Sequence, residues 1–106
     1  YKALGPLGGY GSDLVAAIDK AVADGVDVIN YSIGGGASNP WDDADSLAFL
    51  NAREAGIFVA TSAGNSGPGP DTVGSPGNAP WVATVGASTS NRHFISDITL
   101  SGPGEP

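Results

Sequence analysis

The chain has 106 residues, room for one domain with one hydrophobic core but short for most catalytic domains. Seventeen Gly and eight Pro are about twice average usage, yet 41% of residues are hydrophobic, which excludes a chain disordered for want of apolar burial. Four basic against eleven acidic side chains leave a formal net charge of −7, which excludes a nonspecific binder of nucleic acid or of an anionic membrane.

The N-terminal Tyr1–Leu4 reads as the remnant of a strand. Leu14, Ala17, Ile18, Ala21 and Val22 then recur at helical spacing, predicting a helix from Ser12 to Gly25 with Ser12 as its cap and Gly25 as its stop. The β-branched run Val26–Ile33 predicts a strand that ends at Gly34-Gly35-Gly36. A second cycle follows. Asn39-Pro40 supplies a cap and first-position pair, Asp42, Asp43 and Asp45 suit a helix N-terminus, and Gly56 closes the helix. Ile57–Thr61 is a nearly continuous apolar run of the kind buried on both faces of a parallel sheet. After a stretch from Thr61 to Pro80 rich in Gly and Pro, Trp81–Val85 predicts a further strand, and Ser101–Pro106 reads as a frayed tail.

This alternation predicts an α/β fold with parallel strands in one sheet. Sites in such sheets form beyond the carboxyl ends of the strands. Those ends are Gly5–Gly11, Ser32–Gly36 and Ser62–Gly67, so most of the glycine gathers on one edge. That edge is the expected functional one.

Several chemistries compete for it. Gly8-Gly9-Tyr10-Gly11 could cradle a phosphate, but Leu14 stands where a dinucleotide fingerprint needs Gly or Ala, and no Gly-Lys-Ser/Thr occurs. The absence of Cys removes thiolate nucleophiles and Cys-based zinc sites, and a single His removes an all-His metal site. His93, flanked by Arg92 and Phe94, reads as an exposed histidine before it reads as a general base. Gly64-Asn65-Ser66-Gly67 could aim a carboxamide N–H at developing negative charge, or could simply be a turn in which Asn tolerates positive φ. Ser32–Gly36 could offer backbone groups to an extended peptide, or could be a flexible loop. Asn30-Tyr31-Ser32 satisfies the glycosylation sequon but lies in a strand expected to be buried. No apolar run approaches the roughly 20 residues that cross a bilayer.

Two of these segments, in this order, carry a resemblance. Val26–Gly35 resembles the substrate-binding strand of subtilisin-like serine peptidases, and Ile57–Gly67 is similar to their oxyanion-hole strand. Thr72–Gly77 and Val82–Ala87 match the next two segments of that family, so the likeness extends from about Tyr1 to Ser90. It implies a three-layer, Rossmann-like parallel sheet flanked by helices, present here as an incomplete fragment. Residues 1–100 would form the central part of the catalytic domain, with 101–106 a tail near a domain insertion found in one branch of the family.

The activity implied is peptide-bond hydrolysis by an Asp, His, Ser triad, with Asn65 matching the oxyanion-stabilising side chain. Ser32, Ile33 and Gly34 match the strand that pairs with substrate, Ala63 and Gly64 a pocket wall, and Gly74 its floor. Leu7, Gly8 and Gly9 resemble the opposite strand that sandwiches the peptide, and Ser75-Pro76 matches a position where the family often has a cis peptide. The family's three triad motifs are not found in the sequence, so the chain is expected to be inactive alone. The resemblance further implies secretion, an extended peptide or protein substrate, no resident cofactor, and structural calcium in the intact enzyme. Noncatalytic α/β binding modules and pseudoenzymes are the alternative readings. Strands deprived of cover are expected to promote self-association.

Overall fold

In the computed structural model, residues 1–92 and 95–96 are described; His93 and the tail from Ser101 to Pro106 lie outside the described residues. Helix α1 spans Gly11–Ala23, strand β1 Val28–Tyr31, helix α2 Ala44–Glu54, strand β2 Phe58–Ser62 and strand β3 Ala83–Val85. The strands form one parallel sheet in the order β1-β2-β3, with Val28 opposite Phe58 and Ala60 opposite Ala83. The α/β expectation therefore holds.

Both helices stop by the same device. In α1 the Gly25 N–H donates to the Val22 carbonyl and the Val26 N–H to that of Ala21; in α2 Gly56 and Ile57 repeat this with Arg53 and Ala52. Two orphan carbonyls are thereby satisfied at each end, and the turn needs a left-handed residue, supplied by Gly25 at φ 69° and Gly56 at φ 88°.

The starts differ from the sequence reading. Tyr10, not Ser12, is the N-cap of α1, and the Asp13 carboxylate accepts from its backbone N–H at 3.4 Å. For α2 the cap is Asp43, whose carboxylate accepts from the Ser46 N–H at 2.9 Å and from the Ser46 hydroxyl at 2.5 Å. Asn39 is already engaged in a turn of its own, its side-chain oxygen accepting from Trp41 N–H at 3.2 Å and its backbone carbonyl from Asp42 N–H at 2.9 Å. Helix α2 consequently begins later than Asn39-Pro40 suggests.

The core lies on one face of the sheet. Ile18 from α1 and Ala48, Phe49 and Ala52 from α2 pack with Tyr31, Ile57 and Val59. Phe49 is fully buried, its ring meeting Tyr31 edge-on at 4.9 Å between centroids, and burial of such a side chain contributes roughly 1.5–3 kcal/mol. The Tyr31 hydroxyl donates to Asp45 at 2.6 Å, fixing β1 to the start of α2. Burial first, and that hydrogen bond second, hold the Tyr31 phenol well above its ordinary value.

The opposite face is not covered by the described residues. Val28, Phe58 and Val85 are exposed there, and Asn30 stands among them, so β2 is buried on one face only rather than on both, and Asn30 is exposed where its sequence suggested burial. Strand β3 is shorter than predicted: Trp81 precedes it, its indole N–H donating to the Ser46 carbonyl at 2.7 Å. Tyr1–Leu4 has no strand partner, although Tyr1 donates to Asp24 at 2.7 Å; the nearby Gly5 and Gly8 form an isolated antiparallel bridge.

Candidate functional site

The carboxyl ends of β1 and β2 open into a shared cleft. β1 ends at Tyr31 and releases Ser32–Gly36, while β2 ends at Ser62 and releases Ala63–Gly67. Between them lies a cavity of about 480 Å³ lined by Leu4, Ser32, Ile33, Gly34, Gly35, Gly36, Ser62, Gly64, Asn65, Ser66 and Gly74. A neighbouring cavity of about 320 Å³ takes in Ala63 and shares Gly64 and Asn65 with the first. Asn65 is exposed at this junction.

Close backbone approach shapes the cleft. Gly35 N–H donates to the Ser75 carbonyl at 2.9 Å, and a Cβ on Gly74 would stand 2.1 Å from the Gly35 oxygen. No side chain can occupy that position without pushing the two segments apart. Across the cleft, Ala63 N–H donates to Val85 O at 2.9 Å and its carbonyl accepts from Gly74 N–H at 3.3 Å, so the wall at Ala63-Gly64 is tied to both β3 and the Gly74 segment. The Ser75-Pro76 peptide is cis.

The structure thus gathers Ser32, Ile33, Gly34, Gly64, Asn65 and Gly74 around one cavity, with Ala63 in the adjoining one. Leu7, Gly8 and Gly9 do not line either; Leu7 is fully exposed, and the segment contributes Leu4 instead. Leu4 was not singled out from sequence. Its signal was only its place at the last apolar position before Gly5, on the edge already marked by glycine.

None of the residues lining the larger cleft is ionisable. Its chemistry is that of hydroxyls, backbone amides and one carboxamide, which can bind a polar chain and stabilise charge but cannot take up a proton near neutral pH. Among the described residues no three His, Cys, Asp or Glu side chains converge to hold a metal ion. Nor is any described helix long and apolar enough to cross a membrane.

The family model for the Subtilase family (Peptidase S8) matches residues 1–105. The chain belongs to the subtilase family. Among curated subtilases, Subtilisin-like protease SBT1.4 of Arabidopsis thaliana is 47% identical over 107 residues, covering 99% of this chain and 13% of that protein. The CO(2)-response secreted protease of the same plant is 45% identical over 105 residues, covering 96% of this chain and 13% of its own length. Among solved structures, Sphericase superposes with a TM-score of 0.64 at 36% identity, over 81% of this chain and 28% of the other. The chain therefore spans about an eighth of the length of these curated subtilases, at 13%. The parallel sheet with its helices is the subtilisin fold in part.

Proposed function

We propose that this chain is the substrate-binding and oxyanion-stabilising segment of a secreted serine endopeptidase. The observation that carries the reading is the single cleft beyond the strand ends, in which the backbone of Ser32–Gly36 faces the Gly64-Asn65 turn. An extended peptide laid along Ser32–Gly34 would pair with it as an added strand, and glycine on either side leaves room for the incoming backbone. Its scissile carbonyl would then present its oxygen to the Asn65 carboxamide. As a nucleophile adds to the carbonyl carbon, the C=O π electrons move onto oxygen, and an amide N–H donor stabilises that negative charge more than it stabilises the ground-state carbonyl.

The cleft carries serine hydroxyls but no general base to activate one, and a serine hydrolase needs both. In the proposed enzyme the Asp, His and Ser of the triad come from outside this segment, and the segment by itself is inactive. Its uncovered sheet face makes the isolated chain self-associate.

The test is Asn65→Ala in the full-length protein, assayed on a chromogenic peptide. By analogy with oxyanion donors measured in this family, kcat should fall by about 10²–10³ with KM nearly unchanged. A loss confined to KM would remove Asn65 from the role. Cleavage by the purified 106-residue chain, above a matched blank, would overturn the claim that the triad lies elsewhere.

A further inference from the structure

Outside the lining of the cleft, three polar side chains and one backbone segment close a ring. Ser75 is buried, with 6% of its surface exposed, and its hydroxyl accepts from the Ser38 N–H at 2.9 Å. That hydroxyl also stands 3.0 Å from the Asn78 side-chain oxygen, to which it donates, while the Asn78 NH₂ group donates to the Ser38 carbonyl at 2.8 Å. The Ser38 hydroxyl, 2.9 Å from that of Ser75, fills the remaining acceptor position. With Ser75 donating to Asn78, the Ser38 hydroxyl is left to donate to Ser75 and every donor has an acceptor, while the Ser75 hydroxyl also lies 3.4 Å from the Ser38 carbonyl.

Its position gives it a consequence. Ser38 lies just beyond Gly34–Gly36, a wall of the cleft that belongs to no helix or strand and has no ladder of its own. Ser75 and Asn78 share the turn that follows Gly74, a turn closed by Asn78 N–H donating to the Gly74 carbonyl at 3.0 Å. The ring therefore anchors the far end of one wall to the turn that carries the cleft's other side. Gly35 N–H to Ser75 O at 2.9 Å and Ser75 N–H to Gly36 O at 3.5 Å are the backbone ties between the same two segments.

We propose that Ser75 and Asn78, acting through Ser38, are specificity-determining positioning residues: the ring sets the spacing between the Gly34–Gly36 wall and Gly74, and with it the side chains the cleft admits. This rests on the peptidase reading above. None of the three side chains lines the cleft, so their effect passes through the backbone they hold. Freed from the ring, the wall should take up several spacings and accept substrates it now rejects.

The experiment uses the full-length protein with Ser75→Ala and, separately, Asn78→Ala, on peptides that differ only in the residue on the acyl side of the scissile bond. In each variant the ratio of kcat/KM between the best and worst peptide should fall by about tenfold, through KM, with kcat on the best peptide within about twofold. Ile57→Val, which loosens the core at the base of β2, the end of that strand opposite the cleft, serves as control and should leave the ratio unchanged. An equal loss on every peptide, or a ratio shifted as much by Ile57→Val, overturns the proposal. If Ser75→Ala does not fold, the half-buried Asn78 variant decides it. Failure of the underlying reading looks different: the unmutated full-length protein would cleave none of the peptides.

Discussion

On one face of the sheet Tyr31, Val59 and Thr61 are buried beneath α1 and α2; on the other Val28, Phe58 and Val85 are exposed, although they are no less apolar. Adjacent residues of the same strand, such as Phe58 and Val59, meet opposite environments because successive side chains point to opposite faces. Stability among the described residues therefore comes from one face only, and the other face can govern association without contributing to the fold.

Substitutions on the two faces should separate these roles. Phe49→Ala removes the fully buried ring at the centre of the covered face and should cost about 3–5 kcal/mol in urea unfolding, the largest effect expected. A loss under 1 kcal/mol, the size of a surface change, would mean the two faces are not so unequal.

Tyr31→Phe, on the same face, deletes only the hydroxyl that donates to Asp45 and should cost about 1–2 kcal/mol near neutral pH. The phenol's folded value is raised above its ordinary 10.0, so the neutral form is favoured by folding. Its contribution is complete below the ordinary value and is lost as pH rises above it toward the folded one. Unfolding curves at about pH 8 and about pH 11 should thus diverge for the unmutated chain more than for Tyr31→Phe. Equal divergence in both would remove Tyr31 as the source.

The smallest stability change, within about 0.5 kcal/mol, is expected for Phe58→Ser on the bare face. Its visible effect should be on assembly: light scattering at rising concentration should show less association than for the unmutated chain. A monomeric unmutated chain at every concentration would show that the bare face drives nothing.

Much of this was legible in the residues. Apolar spacing in α1, glycine stops at Gly25 and Gly56, and apolar or β-branched runs placed all five elements, and the glycine-rich strand ends marked the edge where the cleft opens. What could not be read was whatever depends on partners distant in sequence. Asn39 has every local mark of a cap, and only Asp43 bonding Ser46 displaces it. Ile57–Thr61 carries an apolar signal on both faces, and sequence has no means of saying which face the helices choose. The ring joining Ser38 to Ser75 and Asn78 spans nearly forty positions, and three common polar residues in loops give no warning of it. Motif resemblance found Asn65 and Gly74 because their segments are locally distinctive, whereas Leu4 enters the cleft only through the path of the chain.

The helix stops also govern where error can accumulate. In each αβ unit the residue that closes the cap, Val26 or Ile57, is within two positions of the first strand residue, so helix passes to strand with no slack. Each strand is clamped at its base like a post set in concrete, while its tip carries a glycine-rich loop. Lengthening the join by one residue would rotate the strand's faces and turn Val59 outward, whereas a residue added beyond Gly36 need move only the loop. Variation in sequence length should therefore be rejected at the base and tolerated at the tip, the one end where a peptide can be met.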